Sequence, residues 1–458
     1  MIERADYVVP YFNNQLRLDK PPLAYWAQVA SYHIFGENDF AARFPSAIAA
    51  ALAALSIFAW GTRLGGGKLG WCAAIIFTLS LQTFLHAKAA VADMWLVLFM
   101  ATAHWSGFEL FLRKQTSNAQ RPTLNVQRRW WWMLYLSLAF GFLAKGPIAW
   151  TPLLTVTAII FLTRDWQAAS RFKFVRGILL TLAVVGIWGI QALIQTHGEF
   201  FAVGIGRHVI GRSFSTMEGH GANSAGMYLL LLPFYFVTVF VSFFPWSMKL
   251  PWLVRKLWRT RKTGVDEASY SRNLIDTYLL AGIGIIFVIF TLIKTKLPHY
   301  TLPAFPLFAL LLARHWQGAA ATSRRSLFPT IAVGTASVWI ALALLVPPMV
   351  ARFFPAYQLF HQSRADLQPN MQFASVEFEE PSLVWYFRSR VKGFLTPLNK
   401  RRAAEFMSTA GPRFIILPTP VAGSLFTNQP PNWKFFSTSG FNIAKGKRVD
   451  LTLVLKSE

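Results

Sequence analysis

Asp93-Met94-Trp95-Leu96-Val97-Leu98-Phe99-Met100 opens a stretch that stays mostly apolar to Leu112. A helix needs ~20 mostly apolar residues to cross a bilayer, and residues 93–112 supply that length with an acid at their mouth. Ionisable groups at membrane depth are costly, so they face a bundle interior or a watery cavity and mark substrate, ion or proton sites. Nine similar runs lie near 44–62, 70–86, 130–145, 147–163, 175–195, 226–246, 275–293, 299–313 and 327–350, for about ten spans. The composition agrees, with 54% hydrophobic, 16% aromatic and only 14% charged residues. The expected fold is an all-α polytopic membrane protein.

A net charge of +25 raises the question of nucleic acid. Basic residues spread over short loops between apolar helices report topology instead, because Lys and Arg accumulate on the cytoplasmic side. Loops 63–69, 113–129, 164–176, 248–273 and 314–325 hold 21 basic residues, against 6 in the alternate set 87–92, 145–147, 197–225 and 294–298. The first set reads as cytoplasmic and the second as periplasmic, in a multi-pass protein of the inner (plasma) membrane. Residues 1–43 then form an outer-face loop, 44–351 the transmembrane domain, and 352–458 an outer-side tail. In that tail, strand-like runs at 372–378, 413–417 and 449–455, with a helical stretch at 399–408, indicate a small C-terminal α/β domain.

The unusual polar residues fall on the outer face: Asp19, Lys20, Asp93, Lys145, Arg207, His208, Lys296 and His299. Any one alone reads equally well as an interfacial anchor or a snorkelling side chain. Together, two carboxylates, fixed cations and two imidazoles suit an anionic head group, with or without a divalent metal.

Asp19-Lys20-Pro21-Pro22-Leu23 with Tyr25-Trp26, then Phe35-Gly36 and Ala41-Ala42-Arg43-Phe44-Pro45-Ser46, resembles the first outer loop of the polyprenyl-phosphate-sugar-dependent glycosyltransferases. That superfamily includes the bacterial aminoarabinose transferases of lipid A and the protein O-mannosyltransferases. Ala92-Asp93-Met94, Ala144-Lys145-Gly146-Pro147, Phe244-Pro245-Trp246 and Lys294-Thr295-Lys296-Leu297-Pro298-His299-Tyr300 match in the same order. The resemblance implies a GT-C-like transmembrane bundle that passes a sugar, with inversion, from a polyprenyl-phosphate carrier to a lipid, glycan or protein acceptor at the outer face. It also implies that Lys20 contacts the donor phosphate and that Asp93 lines the same cavity. Asp19, where relatives have a metal-binding glutamate, and His208 would hold a divalent metal (Zn, Mg or Mn). Membrane lipids are expected partners and nucleic acid is not.

The chemistry fits these residue types. Cleaving a sugar–phosphate bond puts charge on the phosphate, which a preorganised cation stabilises best where water is excluded. Lys20, Arg43, Lys145, Arg207, Lys296 and His299 are the candidate phosphate and substrate ligands. The anomeric carbon gains oxocarbenium character and a hydroxyl acceptor must lose a proton, both tasks for a carboxylate. Asp93 is the candidate catalytic residue. Relatives carry an Asp-Glu pair upstream of the lysine motif, so Met1 reads as an internal methionine of a longer protein. If Met1 is the true start, a non-catalytic lipid-sugar binder is the alternative, beside a transporter or lipid flippase. His33 and His104 read as packed side chains, and His86, His197, His220 and His315 as loop-edge residues. Cys72 is alone, which rules out an internal disulfide. Gly65-Gly66-Gly67 lacks the Lys-Ser/Thr of a phosphate loop, which argues against nucleotide-driven transport.

Overall fold

The structure, a computed structural model, describes residues 1–112, 124–211, 224–260, 267–320, 327–351, 353–427, 432–442 and 446–457. It divides into two compact units, Met1–Pro10 with Leu16–Ala336, and Tyr11–Gln15 with Ser337–Glu458.

The first unit is helical. Its first nine helices are α1 (Leu23–Phe35), α2 (Asp39–Gly65), α3 (Gly67–Leu79), α4 (Leu81–Ala87), α5 (Asp93–Leu112), α6 (Leu124–Lys145), α7 (Thr151–Thr163), α8 (Trp166–Phe172) and α9 (Phe174–Gln195). The Asn38 side chain caps α2 by accepting from the Ala41 amide at 2.8 Å, one of the orphan donors every helix start presents. The apolar runs expected from the sequence lie largely on helix, with turns at 231–233 and 243–245 inside the run 226–246. Among the described residues, five helices are long and apolar enough to cross a membrane: Asp39–Gly65, Asp93–Leu112, Trp166–Gln195, Asn273–Leu292 and Phe328–Ala351. Two bent pairs raise that to seven, Gly67–Leu79 with Leu81–Ala87 at 69° and Phe234–Ser242 with Trp246–Arg259 at 118°. The gap from ten has local causes. Helix α6 starts with Arg128 and Arg129 near its N-terminal end, α7 is only 13 residues long, and run 299–313 divides into a 3-10 turn, Pro298–Ala304, and the helix Phe305–Ala320.

Aromatic and small residues alternate through the core of this unit. Trp60 of α2, Phe108 of α5 and Tyr278 of the helix Glu267–Leu292 pack with ring centroids 5.1–6.5 Å apart, and the buried Tyr278 hydroxyl donates to the His104 carbonyl at 2.8 Å. Gly177 of α9 lies flat against the Tyr135 ring, and a Cβ there would fall inside it. The Tyr135 hydroxyl donates to the Phe172 carbonyl at 2.9 Å, which fixes the ring in place.

After a short two-stranded pairing of β1 (Tyr11–Phe12) with β2 (Gln15–Leu16), the second unit carries a five-stranded sheet in the order β4-β3-β5-β7-β6, formed by β3 (Gln372–Val376), β4 (Leu395–Leu398), β5 (Arg413–Pro418), β6 (Lys434–Asn442) and β7 (Lys447–Lys456). Strands β4, β3 and β5 run parallel, joined through the helices Pro381–Phe387 and Lys400–Ser408, and β7 and β6 add antiparallel. On the central strand β5, Phe414 and Ile416 pack into one core and Ile415 and Leu417 into another. The period of two thus buries both faces, as a sheet covered on each side requires. The helix and three strand runs expected in the tail are all present. Strands β4 and β6 were not anticipated, and both carry exposed polar positions that weaken the pattern. The turn residues Asn13 and Asn14, both at positive φ (50° and 64°), belong to this unit. The Asn13 amide donates to the Leu395 carbonyl at 2.7 Å and accepts from the Leu395 amide at 2.8 Å, which extends the edge of β4.

Candidate active site

Helices α5 and α6 run antiparallel side by side, joined laterally by Thr102 and Ser137, whose hydroxyls lie 2.9 Å apart, and by the stacked rings of Phe99 and Phe140. That pairing brings the first residue of α5, Asp93, against the last residue of α6, Lys145. Each charge sits at the helix end whose dipole favours it, an anion at an N-terminus and a cation at a C-terminus. The Lys145 ammonium donates to Asp93 Oδ1 at 2.5 Å, and Asp93 is only 7% exposed. Gly146, at φ 83°, lets the chain turn directly out of α6 into the 3-10 turn Pro147–Trp150, a conformation that side chains with a Cβ resist. On the other flank the Ser46 hydroxyl donates to the Val91 carbonyl at 3.0 Å and pins the segment that leads into Asp93.

Two imidazoles complete the cluster. His299, in the turn Pro298–Ala304, places Nε2 3.9 Å from Asp93 Oδ1, and its ring lies 5.1 Å from that of His86 at the end of α4. The Tyr300 ring sits beneath the Lys145 ammonium at 5.7 Å. Leu297, two residues before His299, donates its amide to the Tyr235 hydroxyl at 3.3 Å, which ties the turn to the helix Phe234–Ser242.

Lys20 approaches from the segment before α1. Burial, and then the neighbouring Lys145, lower its pKa below the ordinary lysine value, while Asp19 and Asp93 oppose the shift. Lys20, Lys145 and Arg17 against the carboxylates of Asp19 and Asp93 leave one positive charge to spare, so the cluster is poised for an anion. Asp19 points to other partners, accepting from Arg17 Nε at 3.1 Å and from the Tyr25 hydroxyl at 3.5 Å. Burial raises its pKa, but Arg17 and Lys20 outweigh that and hold it below the usual carboxylate value.

Of the residues singled out from sequence, Lys20, Asp93, Lys145 and His299 come together. Lys296 does not point into this group. It is buried and its ammonium donates to the carbonyls of Phe290 at 3.1 Å and Thr291 at 2.5 Å, over the rings of Tyr228 and Tyr235. It closes the end of the helix Glu267–Leu292. Arg43 is exposed on α2 and Arg207 is exposed in the π-helical stretch Phe201–Gly211. The His208 side chain lies outside the described residues. Of the expected Asp19–His208 metal pair, Asp19 Oδ1 is thus engaged by a guanidinium and a phenol, the same kind of contact that Lys145 makes to Asp93. His86 was missed, since a single histidine at a loop edge carries no spacing signal for a partner 213 residues away in sequence.

The family model described as dolichyl-phosphate-mannose-protein mannosyltransferase matches residues 19–188. The undecaprenyl phosphate-alpha-4-amino-4-deoxy-L-arabinose arabinosyl transferase of Edwardsiella ictaluri is 28% identical over 322 residues, covering 69% of this chain and 53% of that protein. The enzyme of the same name from Enterobacter sp. is 27% identical over 413 residues, 88% of this chain and 66% of that one. The chain spans about half the length of several curated relatives it matches. The crystal structure of ArnT from Cupriavidus metallidurans bound to undecaprenyl phosphate superposes with a TM-score of 0.73 at 16% identity, over 99% of this chain and 91% of that one. The fold is thus that of a known membrane protein, and the resemblance to the polyprenyl-phosphate-sugar transferases read from the motifs stands.

Proposed function

We propose that this chain moves a sugar from a polyprenyl-phosphate carrier to a lipid, glycan or protein hydroxyl at the outer face of the inner membrane, through a bundle of about ten spans, with inversion at the anomeric carbon. The observation that carries the reading is the convergence of half-buried Lys20, Lys145 and His299, from separated motifs, around the buried Asp93. The relatives named for undecaprenyl-phosphate-linked aminoarabinose supply the donor class. Carboxylates of α5 also sit toward its ends, Asp93 first and Glu109 in the last turn, a distribution that suits a surface site better than a conduction path through the span.

In this reading the donor phosphate draws the Lys145 ammonium off Asp93 and takes a second contact from Lys20. The acceptor oxygen attacks the anomeric carbon, the bond from that carbon to the phosphate oxygen breaks, and the electron pair leaves with the polyprenyl phosphate. The freed Asp93 carboxylate takes the acceptor proton. Two fixed cations stabilise the charge that grows on the leaving phosphate, a stabilisation that preorganised donors supply without reorganisation at the moment of reaction. The test is release of polyprenyl phosphate from membranes loaded with lipid-linked sugar. Release that depends on Asp93 and Lys20, lost in Asp93→Asn and Lys20→Ala, is the expected result. Equal release with and without the chain overturns the proposal.

A further inference from the structure

We propose that His86, Asp93 and His299 form a binding site for a zinc-class divalent cation, distinct from the pair Asp19 and His208. One ligand atom from each of the three lies within 4.8 Å of the other two. Two imidazoles and one carboxylate are a donor set suited to Zn²⁺, with three protein ligands and an open fourth position. Zinc–nitrogen and zinc–oxygen bonds of about 2.0–2.2 Å place neighbouring ligands roughly 3.4 Å apart. The ligand atoms must therefore draw in by up to about 1.4 Å from their 4.8 Å limit, and His299 by only about 0.5 Å from its 3.9 Å separation from Asp93, within reach of small ring rotations.

The surroundings orient the ligands. His86 Nδ1 lies 3.1 Å from the Gln82 carbonyl. A proton on Nδ1 donated there leaves Nε2 free for the ion, the carbonyl–histidine–metal arrangement found around bound zinc. His299 already points Nε2 at Asp93. What stands in the way is Lys145, whose ammonium occupies Asp93 Oδ1. A cation and this ammonium compete for one oxygen, so the site is gated by whatever draws Lys145 elsewhere, and an anion such as a phosphate would do so. With the ion on one carboxylate oxygen, the other stays available, and the fourth position accepts an anionic oxygen.

The site stands on side-chain geometry and does not depend on the transferase reading, so its test reads binding rather than turnover. The full chain, purified in detergent and stripped with chelator, is titrated with Co²⁺ while its visible absorbance is followed, and Zn²⁺ is then added as competitor. One Co²⁺ per chain with an intense four-coordinate band is expected. His86→Gln and His299→Gln should each weaken binding by at least the roughly 10–100-fold typical of losing even an outer-sphere partner. His361→Gln, an exposed residue of the second unit, should change nothing. Lys145→Met should bind more tightly than the natural chain, a gain that misfolding cannot produce. Absence of Co²⁺ binding, or binding that survives His86→Gln but is lost in His208→Gln, overturns the proposal.

Discussion

Lys145→Met tests the central pair most directly. Asp93 is 7% exposed, and its carboxylate has two close neighbours, the Lys145 ammonium at 2.5 Å and the His299 imidazole with Nε2 at 3.9 Å. Removing one partner of a buried pair costs about 3–5 kcal/mol, because the other charge stays desolvated and unpaired. Lys145 is itself 21% exposed and His299 remains beside the acid, which places the cost near the lower bound, ~3 kcal/mol. Asp93→Asn leaves an ammonium that still reaches water, at roughly 1.5 kcal/mol. The double variant Asp93→Asn/Lys145→Met strands no charge and should cost about the same as Asp93→Asn alone. The cycle then yields a coupling near 3 kcal/mol, the upper end for residues in contact. Unfolding of the purified proteins by SDS in mixed micelles measures all four corners. Additivity within about 0.5 kcal/mol would refute the claim that the two residues form a buried pair, whatever the activity of the variants.

Lys20→Ala should lose about 10–100-fold in affinity for undecaprenyl phosphate in nanodiscs, the equivalent of one charge-assisted hydrogen bond. Because burial and Lys145 lower the Lys20 pKa, the cation exists below that pKa and is lost as pH rises through it, so binding should fall at a lower pH than for an ordinary lysine. Lys20→Arg should stay bound to higher pH, and identical pH profiles would count against the assignment. Lys296→Met, which strips the Phe290 and Thr291 carbonyls of their donor, should cost about 1–2 kcal/mol of stability and leave phosphate affinity unchanged; the reverse pattern would return Lys296 to the site. Gly177→Ala, which drives a methyl into the Tyr135 ring, should destabilise by roughly 1–3 kcal/mol. A Tyr135→Leu background should remove most of that penalty.

The fold was readable wherever a single face or a single run carries the information. A span announces itself by ~20 apolar residues in a row, and a strand buried on both faces, such as β5, by an unbroken Phe414-Ile415-Ile416-Leu417. Bends are not announced in that way. The 69° break between α3 and α4 at Ser80 falls inside a run whose hydropathy is continuous, and after the 118° break that follows Phe234–Ser242 the helix Trp246–Arg259 continues into residues whose charges read as loop. Length and apolarity measure how much helix is present, and only packing decides how it is divided. The link between Asn13 and the edge of β4 was hidden for a related reason, since one asparagine in a turn looks the same whether it satisfies its own backbone or a strand 382 residues on.

The site shows why motif order was a better guide than residue chemistry. Lys20, Asp93, Lys145 and His299 each sit where a helix begins, ends or turns, and the antiparallel pairing of α5 and α6 converts an interval of 52 residues into a contact of 2.5 Å. Lys296 belongs to the same motif as His299 and carries the charge a phosphate needs, yet its ammonium is taken up by two carbonyls of its own helix end. His86, with no motif around it, stands next to the carboxylate. A lysine at a helix C-terminus always has carbonyls to satisfy, and four methylenes of reach let it turn toward them or toward a ligand. Asp93 has one methylene and sits at a helix N-terminus, so the backbone alone fixes where its charge lies. Short side chains on helix ends therefore define this pocket, and the long cations supply whichever charge the moment requires: Lys145 now neutralises Asp93, and a phosphate entering beside Lys20 would compete for it with an extra negative charge.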